Sequence, residues 1–346
     1  MRSVKAFLLI SYVVNSLCPV QAKPEDSTTR RDWRHVKWGM EIPDESYCDQ
    51  PRFAVLDDGS WLCVLTTGSG HEGQGGQHIV CTRSQDQGKT WSQLVNVEEA
   101  DTVKVSSYAV VYRTLFDRVY CFYTYNGDSV TLLPNGAKMR YDTHGWLVYR
   151  FTDDGGRSWS PRQRLDLRVT DCDRSNDFAG KVQMFWMIGK PIRTAQGAMM
   201  LALTKLGRYF LQGGEGWFMR CENIDTERDV TRLQWSTLPR GEAGVRHPDF
   251  GSVQEEFNLT PLQNGLAVVF RTTQGFPAIA FSRDEGQGWT VPEQMRYAPG
   301  GRVIRNPRAC PKIWQCRNGK YLFWFHNHGG KNFEYRNPVW ILGGIE

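Results

Sequence analysis

The eight-residue stretch SQDQGKTW at residues 84–91 occurs again, in altered form, as TDDGGRSW at 152–159 and SRDEGQGW at 282–289. All three follow the pattern [ST]-x-D-x-G-x-[STG]-W, and they begin 68 and 130 residues apart. The spacing indicates a repeat of about 55–65 residues in which one copy of the motif is missing. Each copy follows a β-like run, at 77–82, 146–151 and 278–281. The chain is therefore expected to repeat one supersecondary unit, as propellers and other arrays do.

The motif predicts a turn between two strands. Its Asp is suited to accept backbone N–H groups across the turn, its Gly to adopt a positive φ, and its Trp to pack between neighbouring sheets. These residues are therefore expected to have structural roles. They are Asp86, Trp91, Asp154, Trp159, Asp284 and Trp289.

The composition agrees with a folded β-protein. The 346 residues are 40% hydrophobic, 23% charged and 12% aromatic, and they include 34 Gly. These values exclude disorder and collagen-like repeats, and the aromatic and Gly content favours sheets joined by many turns. The net charge of +5 arises from 42 basic and 37 acidic residues without a long Lys/Arg run. A nucleic-acid partner is therefore not expected.

The N-terminus has the layout of a secretory signal peptide. Arg2 and Lys5 precede an apolar run at 6–14, and Val20-Gln21-Ala22 offers a small-x-small cleavage site. The run is shorter than the ~20 residues of a membrane span, and no other segment is apolar enough to be one. We therefore expect a secreted, extracellular protein with no transmembrane segment. Its regions would be a signal peptide at 1–22, an N-terminal segment at 23–46 and a propeller at 47–346.

An oxidising compartment changes what the cysteines predict. Eight lie beyond the signal peptide, and an even number permits disulfides. Pairing of Cys63 with Cys81, or of Cys310 with Cys316, is possible, and buried free thiols are the alternative. The spacings contain no CxxC, so neither a metal nor another cofactor is expected. A sequon at Asn258 predicts glycosylation. The eight are Cys48, Cys63, Cys81, Cys121, Cys172, Cys221, Cys310 and Cys316.

The repeated motif resembles the Asp box, or BNR repeat, of the sialidase (neuraminidase) superfamily. The resemblance implies an all-β, six-bladed propeller with four antiparallel strands per blade, a site on the central axis and the Asp boxes at the periphery. Most of a sixth blade is missing, so we expect a C-terminally truncated six-bladed ring, and a five-bladed ring is the alternative. A segment at 33–42 could pair with the last blade to close the ring. The blades implied are 50–97, 108–167, 182–238, 251–297 and 309 onward.

The resemblance also assigns site residues. Sialidases bind a substrate carboxylate with three arginines, use a Tyr–Glu pair as nucleophile and use an Asp as acid/base. In the stretch 255–271, Glu256 matches the partner of the nucleophile and Arg271 matches the second arginine. Arg308 is the candidate third arginine. The nucleophilic Tyr is expected beyond residue 346.

Two regions depart from the family pattern. Asp49 stands where the family has its first arginine, and strand alternation places Arg52, three residues along, on the opposite face. Where the family has its acid/base Asp, the chain has a Gly-rich loop at 68–78, so His71 and Glu72 are the acid/base candidates. Lys181, at the start of the third blade, is a candidate pocket residue.

These observations predict a secreted, sialidase-like glycoside hydrolase of the exo-α-sialidase type. It would act as a monomer on the terminal acidic sugars of a glycan or glycoconjugate substrate. One alternative is a carbohydrate-binding propeller without catalysis. Another is a propeller lyase or glycosidase that acts on uronic-acid glycans and uses Asp49 with His71.

Overall fold

Residues 36–332 and 336–345 are described by the computed structural model, and they form five antiparallel sheets in chain order. Alternating apolar runs separated by turn residues produce these strands. The first sheet contains β1 (Tyr47–Val55), β2 (Trp61–Gly68), β3 (Gln77–Ser84) and β4 (Val95–Asn96). The second contains β5 (Ser106–Arg113), β6 (Val119–Tyr125), β7 (Trp146–Thr152) and β8 (Gln163–Leu165).

The third sheet differs because its innermost strand is interrupted. Two short strands, β9 (Phe185–Trp186) and β10 (Ile192–Arg193), both pair with β11. The rest of the sheet is β11 (Met199–Arg208), β12 (Gln212–Cys221) and β13 (Trp235–Leu238). A short helix α1 (Asp171–Ser175) precedes the sheet, and a 3-10 turn at Val230–Arg232 lies before β13.

The fourth sheet has four strands in sequence order, and the fifth has three. The first strands of neighbouring sheets are in contact, β1 with β5 and β14 with β18, so they surround a common axis. The fourth sheet contains β14 (Gln254–Leu262), β15 (Gly265–Thr272), β16 (Pro277–Ser282) and β17 (Glu293–Gln294). The fifth contains β18 (Lys312–Gln315), β19 (Tyr321–Phe325) and β20 (Trp340–Gly344).

The described residues therefore form a propeller of five blades. The five predicted blade positions are confirmed, but the prediction of six blades is wrong for the described part of the chain, because five sheets use all of its strands. Val36–Trp38 is a 3-10 turn, and residues 39–42 are not in a strand. The described part of the predicted ring-closing segment is thus not a strand. Residues 33–35 of that segment and the predicted signal peptide at 1–22 lie outside the described residues.

The repeated motifs form the turns between the third and fourth strands of sheets one, two and four. In the first, Ser84 Oγ donates to Asp86 Oδ1 at 2.8 Å, and Asp86 accepts the Thr90 amide at 2.8 Å. The other two turns repeat this arrangement around Asp154 and Asp284. The structural role predicted for the three Asp residues is thus confirmed.

The Trp residues of the motifs pack into apolar cores. Trp159 packs against the core between the first two sheets. Trp289 of the fourth sheet stacks on Phe218 of the third, with 4.7 Å between ring centroids. Trp91 packs against Phe53 of its own sheet. Two of the three Trp residues therefore join neighbouring sheets, as predicted for this position.

The described cysteines are all free thiols. Cys63 pairs in register with Thr82, whereas Cys81 pairs with the adjacent Val64. Because adjacent positions alternate between faces, the Cys63 and Cys81 side chains lie on opposite faces of the sheet, so this possible pair is not bonded and the alternative of free thiols holds. The second candidate pair, Cys310 and Cys316, is also unbonded.

The predicted glycosylation of Asn258 does not fit the folded chain. The side chain is 1% exposed, and its amide nitrogen donates to the carbonyl of Glu256 at 2.8 Å. An acceptor Asn must be accessible, so this prediction is corrected by burial in β14. Within the described residues, no helix has both the length and the apolar character needed to cross a bilayer.

Candidate functional site

One backbone feature recurs on the innermost strands of three sheets. β1, β5 and β14 each contain a bulge, and a residue of each has a positive φ: Gln50 at 51°, Tyr108 at 59° and Glu256 at 58°. Positive φ is uncommon outside Gly, so its recurrence at one level of the propeller marks that level as a specialised region. Bulges re-aim the neighbouring side chains.

The bulge of β14 brings two glutamates against two arginines. Glu255, 0% exposed, accepts from Arg308 Nε at 2.7 Å and lies 3.1 Å from Arg271 Nε. Glu256 Oε2 lies 2.8 Å from Arg271 Nη1. Arg336 Nη2 donates to the backbone carbonyl of Arg308 at 2.9 Å. The structure therefore brings together the predicted residues Glu256, Arg271 and Arg308.

Protonation of Glu256 depends on two opposing influences. Burial raises the pKa of this carboxyl group, and the positive charge of Arg271 acts against that rise. The pKa of Arg336 is lowered by burial and by the charge of Arg271. The cluster thus holds like and unlike charges in a partly dehydrated setting, which is typical of sites that bind or transform polar ligands.

A second charged cluster centres on Arg140. Its guanidinium donates to both oxygens of Asp142, at 2.9 and 2.6 Å. The same group donates to Glu72 Oε1 and to Tyr108 Oη, each at 2.7 Å. Asp142 is buried, whereas the Glu72 side chain is 55% exposed. Glu72, an acid/base candidate, is thus an ion-pair partner of Arg140.

Asp49 is a further carboxyl group that responds to charges of both clusters. Burial, followed by the negative charge of Glu72, raises the pKa of Asp49 to about 7, while Arg52 acts in the opposite direction. Asp142 and Glu256 also raise this pKa, so Asp49 is within electrostatic reach of both clusters. A carboxyl group with this pKa can donate a proton near neutral pH.

Arg52 does not lie where strand alternation places it. Asp49 pairs with Thr66 and Arg52 with Val64, two positions that share a face of β2. The extra residue of the bulge therefore returns Arg52 to the face of Asp49, and the prediction of opposite faces is wrong. Its guanidinium donates through Nη2 to the carbonyl of Ile188, inside the ring.

Two predicted site residues are not joined to these clusters by any recorded contact. His71 is exposed, and its hydrogen bonds are made by its backbone, to the side chains of Gln74 and Gln77. The predicted pairing of Asp49 with His71 is thus unsupported. Lys181 is also exposed, and its backbone amide donates to the carbonyl of Phe178.

The sequence analysis missed four residues of these clusters. Arg140 and Asp142 belong to a connection that the chain brings in from a distance, and Arg140 lies 68 positions from Glu72. An Arg-x-Asp pair in the long connection between β6 and β7 was the available signal for two of them. The four are Tyr108, Arg140, Asp142 and Arg336.

Another buried carboxylate of the described chain, Glu98, pairs with Arg150 and Arg162, but these residues lie in or beside the outer strands of the first two sheets. A cavity of about 670 Å³ lies between the fourth and fifth sheets and is lined mostly by apolar side chains such as Phe281 and Phe323. Within residues 36–332 and 336–345, no three His, Cys, Asp or Glu side chains are placed to hold a metal ion. Charged side chains at the axis therefore define the candidate site.

Comparison with known proteins extends this description at the level of fold. No protein-family model and no curated protein sequence matches the chain. A Hadza microbial sialidase superposes with a TM-score of 0.60 at 13% identity, over 87% of this chain and 57% of the other. The chain thus spans less than two thirds of that protein.

Two further solved structures are similar over more of their length. An intramolecular trans-sialidase from Ruminococcus gnavus, in complex with oseltamivir carboxylate, has a TM-score of 0.60 at 14% identity, over 87% of this chain and 81% of that one. A protein of unknown function from Dyadobacter fermentans has a TM-score of 0.58 at 14% identity, over 86% and 83%. At such identities the similarity concerns the fold. With five antiparallel blades and these structural neighbours, the chain has a sialidase-like β-propeller fold.

Proposed function

We propose that the chain is a glycoside hydrolase that removes terminal acidic sugars from glycoconjugates, as an exo-α-sialidase does. The observation that carries the proposal is the placement of Asp49, with its pKa near 7, within electrostatic reach of Glu256 and its partner Arg271. Glycosidases need one group that donates a proton to the leaving oxygen and a second that supports the nucleophile. Asp49 and Glu256 have the chemistry for these two roles.

Asp49 would act as the general acid. Below a pH of about 7 it is mostly protonated and can transfer its proton to the glycosidic oxygen. Glu256, ion-paired with Arg271, would support the nucleophile, which the family resemblance makes a tyrosine. This assignment replaces His71 by Asp49 as the acid.

The acidic group of the substrate would bind near Arg308 and Arg336. Guanidinium groups recognise carboxylates through two parallel hydrogen bonds. The side chain of Arg308 is 17% exposed. Arg336 is an exposed residue, and its guanidinium donates to the backbone carbonyl of Arg308. Protonation of Asp49 would also remove a negative charge that repels an acidic sugar.

The test is release of free sialic acid from a fluorogenic α-sialoside between about pH 4 and pH 8, since carboxyl and imidazole groups titrate in this range. We expect release by the unaltered chain and at least a hundredfold loss in Glu256→Gln and in Asp49→Asn, the scale of a lost acid or base. Glu293→Gln, on the exposed outer strand of the same sheet as Glu256, is the control and should retain the rate. Release that survives both Glu256→Gln and Asp49→Asn would reject the assignment.

A second function, binding of acidic glycans without cleavage, is favoured by one observation. Glu255 already neutralises both Arg271 and Arg308, and Asp49 adds a carboxyl group where sialidases have an arginine. A glycan array probed with the same protein distinguishes the two functions. Binding to sialylated glycans that is retained in Glu256→Gln, without release by any variant, would establish this second function.

A further inference from the structure

Three basic residues, Arg52, Lys190 and Lys312, belong to the first strands of the first and fifth sheets and to the interrupted first strand of the third. The connection between β9 and β10 contains Ile188, Gly189 and Lys190. Its carbonyl at Ile188 accepts from Arg52, and Lys190 Nζ lies 3.5 Å from the carbonyl of Phe53. The first and third sheets therefore each contribute a cation, Arg52 and Lys190, where β1 meets the β9–β10 connection.

The fifth sheet adds a third cation, Lys312, near the same connection. Gly189 lies against β14, where a Cβ would be 2.9 Å from the carbonyl of Phe257 and 3.2 Å from Asn258 Oδ1. Asn258 in turn donates to Cys310 Sγ at 3.2 Å and to the carbonyl of Pro311 at 3.3 Å. These contacts connect Lys190 to the start of β18, where Lys312 is the first residue.

The three cations are close enough to affect one another. Burial, followed by the charge of Arg52, lowers the pKa of Lys312 to about 8, and Lys190 adds to this effect. Burial and Arg52 also lower the pKa of Lys190. The carboxyl groups that act on Arg52 are Asp49 and Glu256, which belong to the proposed glycan site.

From this convergence we propose that Arg52, Lys190 and Lys312 form an oxyanion-binding site, separate from the glycan site. The ligand class is a small tetrahedral oxyanion, phosphate or sulfate, either free or as an ester. Ammonium groups supply several N–H donors each, and the buried Nε of Arg52 has no hydrogen-bond partner among the described residues. Although the surrounding protein desolvates Lys190 enough to lower its pKa, the residue is accessible to solvent, so an anion can enter.

An oxyanion at this position relieves the mutual repulsion of the three cations. Partly buried charges of one sign are costly unless a counter-charge compensates them. Burial of Cys310 raises the pKa of its thiol to about 11, so this neighbour stays neutral at physiological pH and supplies no counter-charge. A bound oxyanion supplies the negative charge that these three cations lack.

Calorimetric titration of the full chain with inorganic phosphate at pH 6.5 tests the proposal. We expect saturable binding that weakens about tenfold in Lys190→Met and in Lys312→Met, because each variant removes one charge-assisted hydrogen bond. Lys320→Met, in the exposed turn between β18 and β19, is the matched control and should bind as the unaltered chain does. Absence of saturable binding, or equal binding by all three variants, would overturn the proposal.

A second measurement does not depend on the stability of these variants. Reductive ¹³C-methylation of the lysines allows the Lys312 resonance to be followed by NMR through a pH titration, and phosphate should raise its apparent pKa. An unchanged titration with saturating phosphate would contradict the site. Sulfate and a sugar phosphate, titrated in the same way, distinguish a free oxyanion from an ester. Because none of these readouts uses glycan cleavage, failure here leaves the proposed hydrolase untouched.

Discussion

Asp49 and Arg52 share a face of β1, although an ideal strand would place residues three positions apart on opposite faces. The bulge at Gln50, whose φ is 51°, supplies the extra residue that restores the common face. As a result Arg52 acts on the carboxyl group of Asp49, whose pKa is already raised by burial and by Glu72. The protonation of Asp49 is thus set by the shape of the backbone as well as by its neighbours.

The bulge predicts that two substitutions at Gln50 affect the stability of the fold to different extents. Gly adopts a positive φ without strain, whereas a β-branched residue does not. We expect Gln50→Gly to change the free energy of unfolding by less than about 1 kcal/mol and Gln50→Val to lower it by about 1–3 kcal/mol. Urea denaturation measures both. Equal stability of Gln50→Val and the unaltered chain would show that the bulge is absent in solution.

The raised pKa of Asp49 predicts a pH-dependent contribution to stability. An unfolded chain has an Asp pKa of about 3.9, whereas the folded value is about 7. The folded state therefore binds the proton more tightly, and the contribution of Asp49 to stability is full below about pH 4 and is lost as the pH rises to about 7. Asp49→Asn has no titrating carboxyl group at this position, so it should not lose stability in this way as the pH rises.

The measurement compares urea unfolding of the two proteins at pH 4.5 and pH 7.5. Relative to the unaltered chain, Asp49→Asn should become more stable as the pH rises. Asp249→Asn, an exposed position in the loop before β14, is the control and should show no such trend. A relative stability of Asp49→Asn that is constant with pH would mean that Asp49 titrates normally.

Much of the fold could be predicted from the sequence because the repeated motif is local. The turn around Asp86 is closed by hydrogen bonds within seven residues, so its pattern is visible in the chain itself. The number of blades is not local, since it depends on how the sheets pack around the axis. For that reason the blade positions were correct and the count of six was not.

The site was only partly predictable for the same reason. Glu256, Arg271 and Arg308 followed from a resemblance that spans two adjacent strands and the next blade. The role of Arg140 was harder to infer, because its partners come from the β2–β3 loop and from β5 as well as from its own connection. Arg52 was misplaced because a bulge in a single strand reverses the alternation on which strand patterns depend.

Glu255 is expected to be essential for stability. It is fully buried and pairs with both Arg271 and Arg308, so Glu255→Gln leaves two guanidinium groups without their shared counter-charge. A cost of about 3–5 kcal/mol is expected, as for other broken buried pairs. Glu72→Gln, which breaks an ion pair at a half-exposed side chain, should cost less than about 1 kcal/mol. Equal losses in the two variants, measured by urea unfolding, would contradict this ranking.

The buried pair of Lys205 and Asp173 predicts strong coupling between β11 and α1. Both side chains are 0% exposed, and Lys205 Nζ lies 2.6 Å from Asp173 Oδ2. Lys205→Met leaves the buried carboxylate of Asp173 without its counter-charge and is expected to lower the free energy of unfolding by about 3–5 kcal/mol. Asp173 also accepts from the backbone N–H of Thr170, at the start of α1, so Asp173→Asn alone should be destabilising as well.

A double-mutant cycle isolates the ion pair from the helix cap. The double variant Lys205→Met, Asp173→Asn should be more stable than the sum of the two single losses predicts, by about 1–3 kcal/mol, because neither buried charge is then left alone. Urea unfolding of all four proteins at one pH gives this coupling energy. Additive losses would show that the two groups stabilise the fold independently, and that the helix is held by its cap and by packing alone.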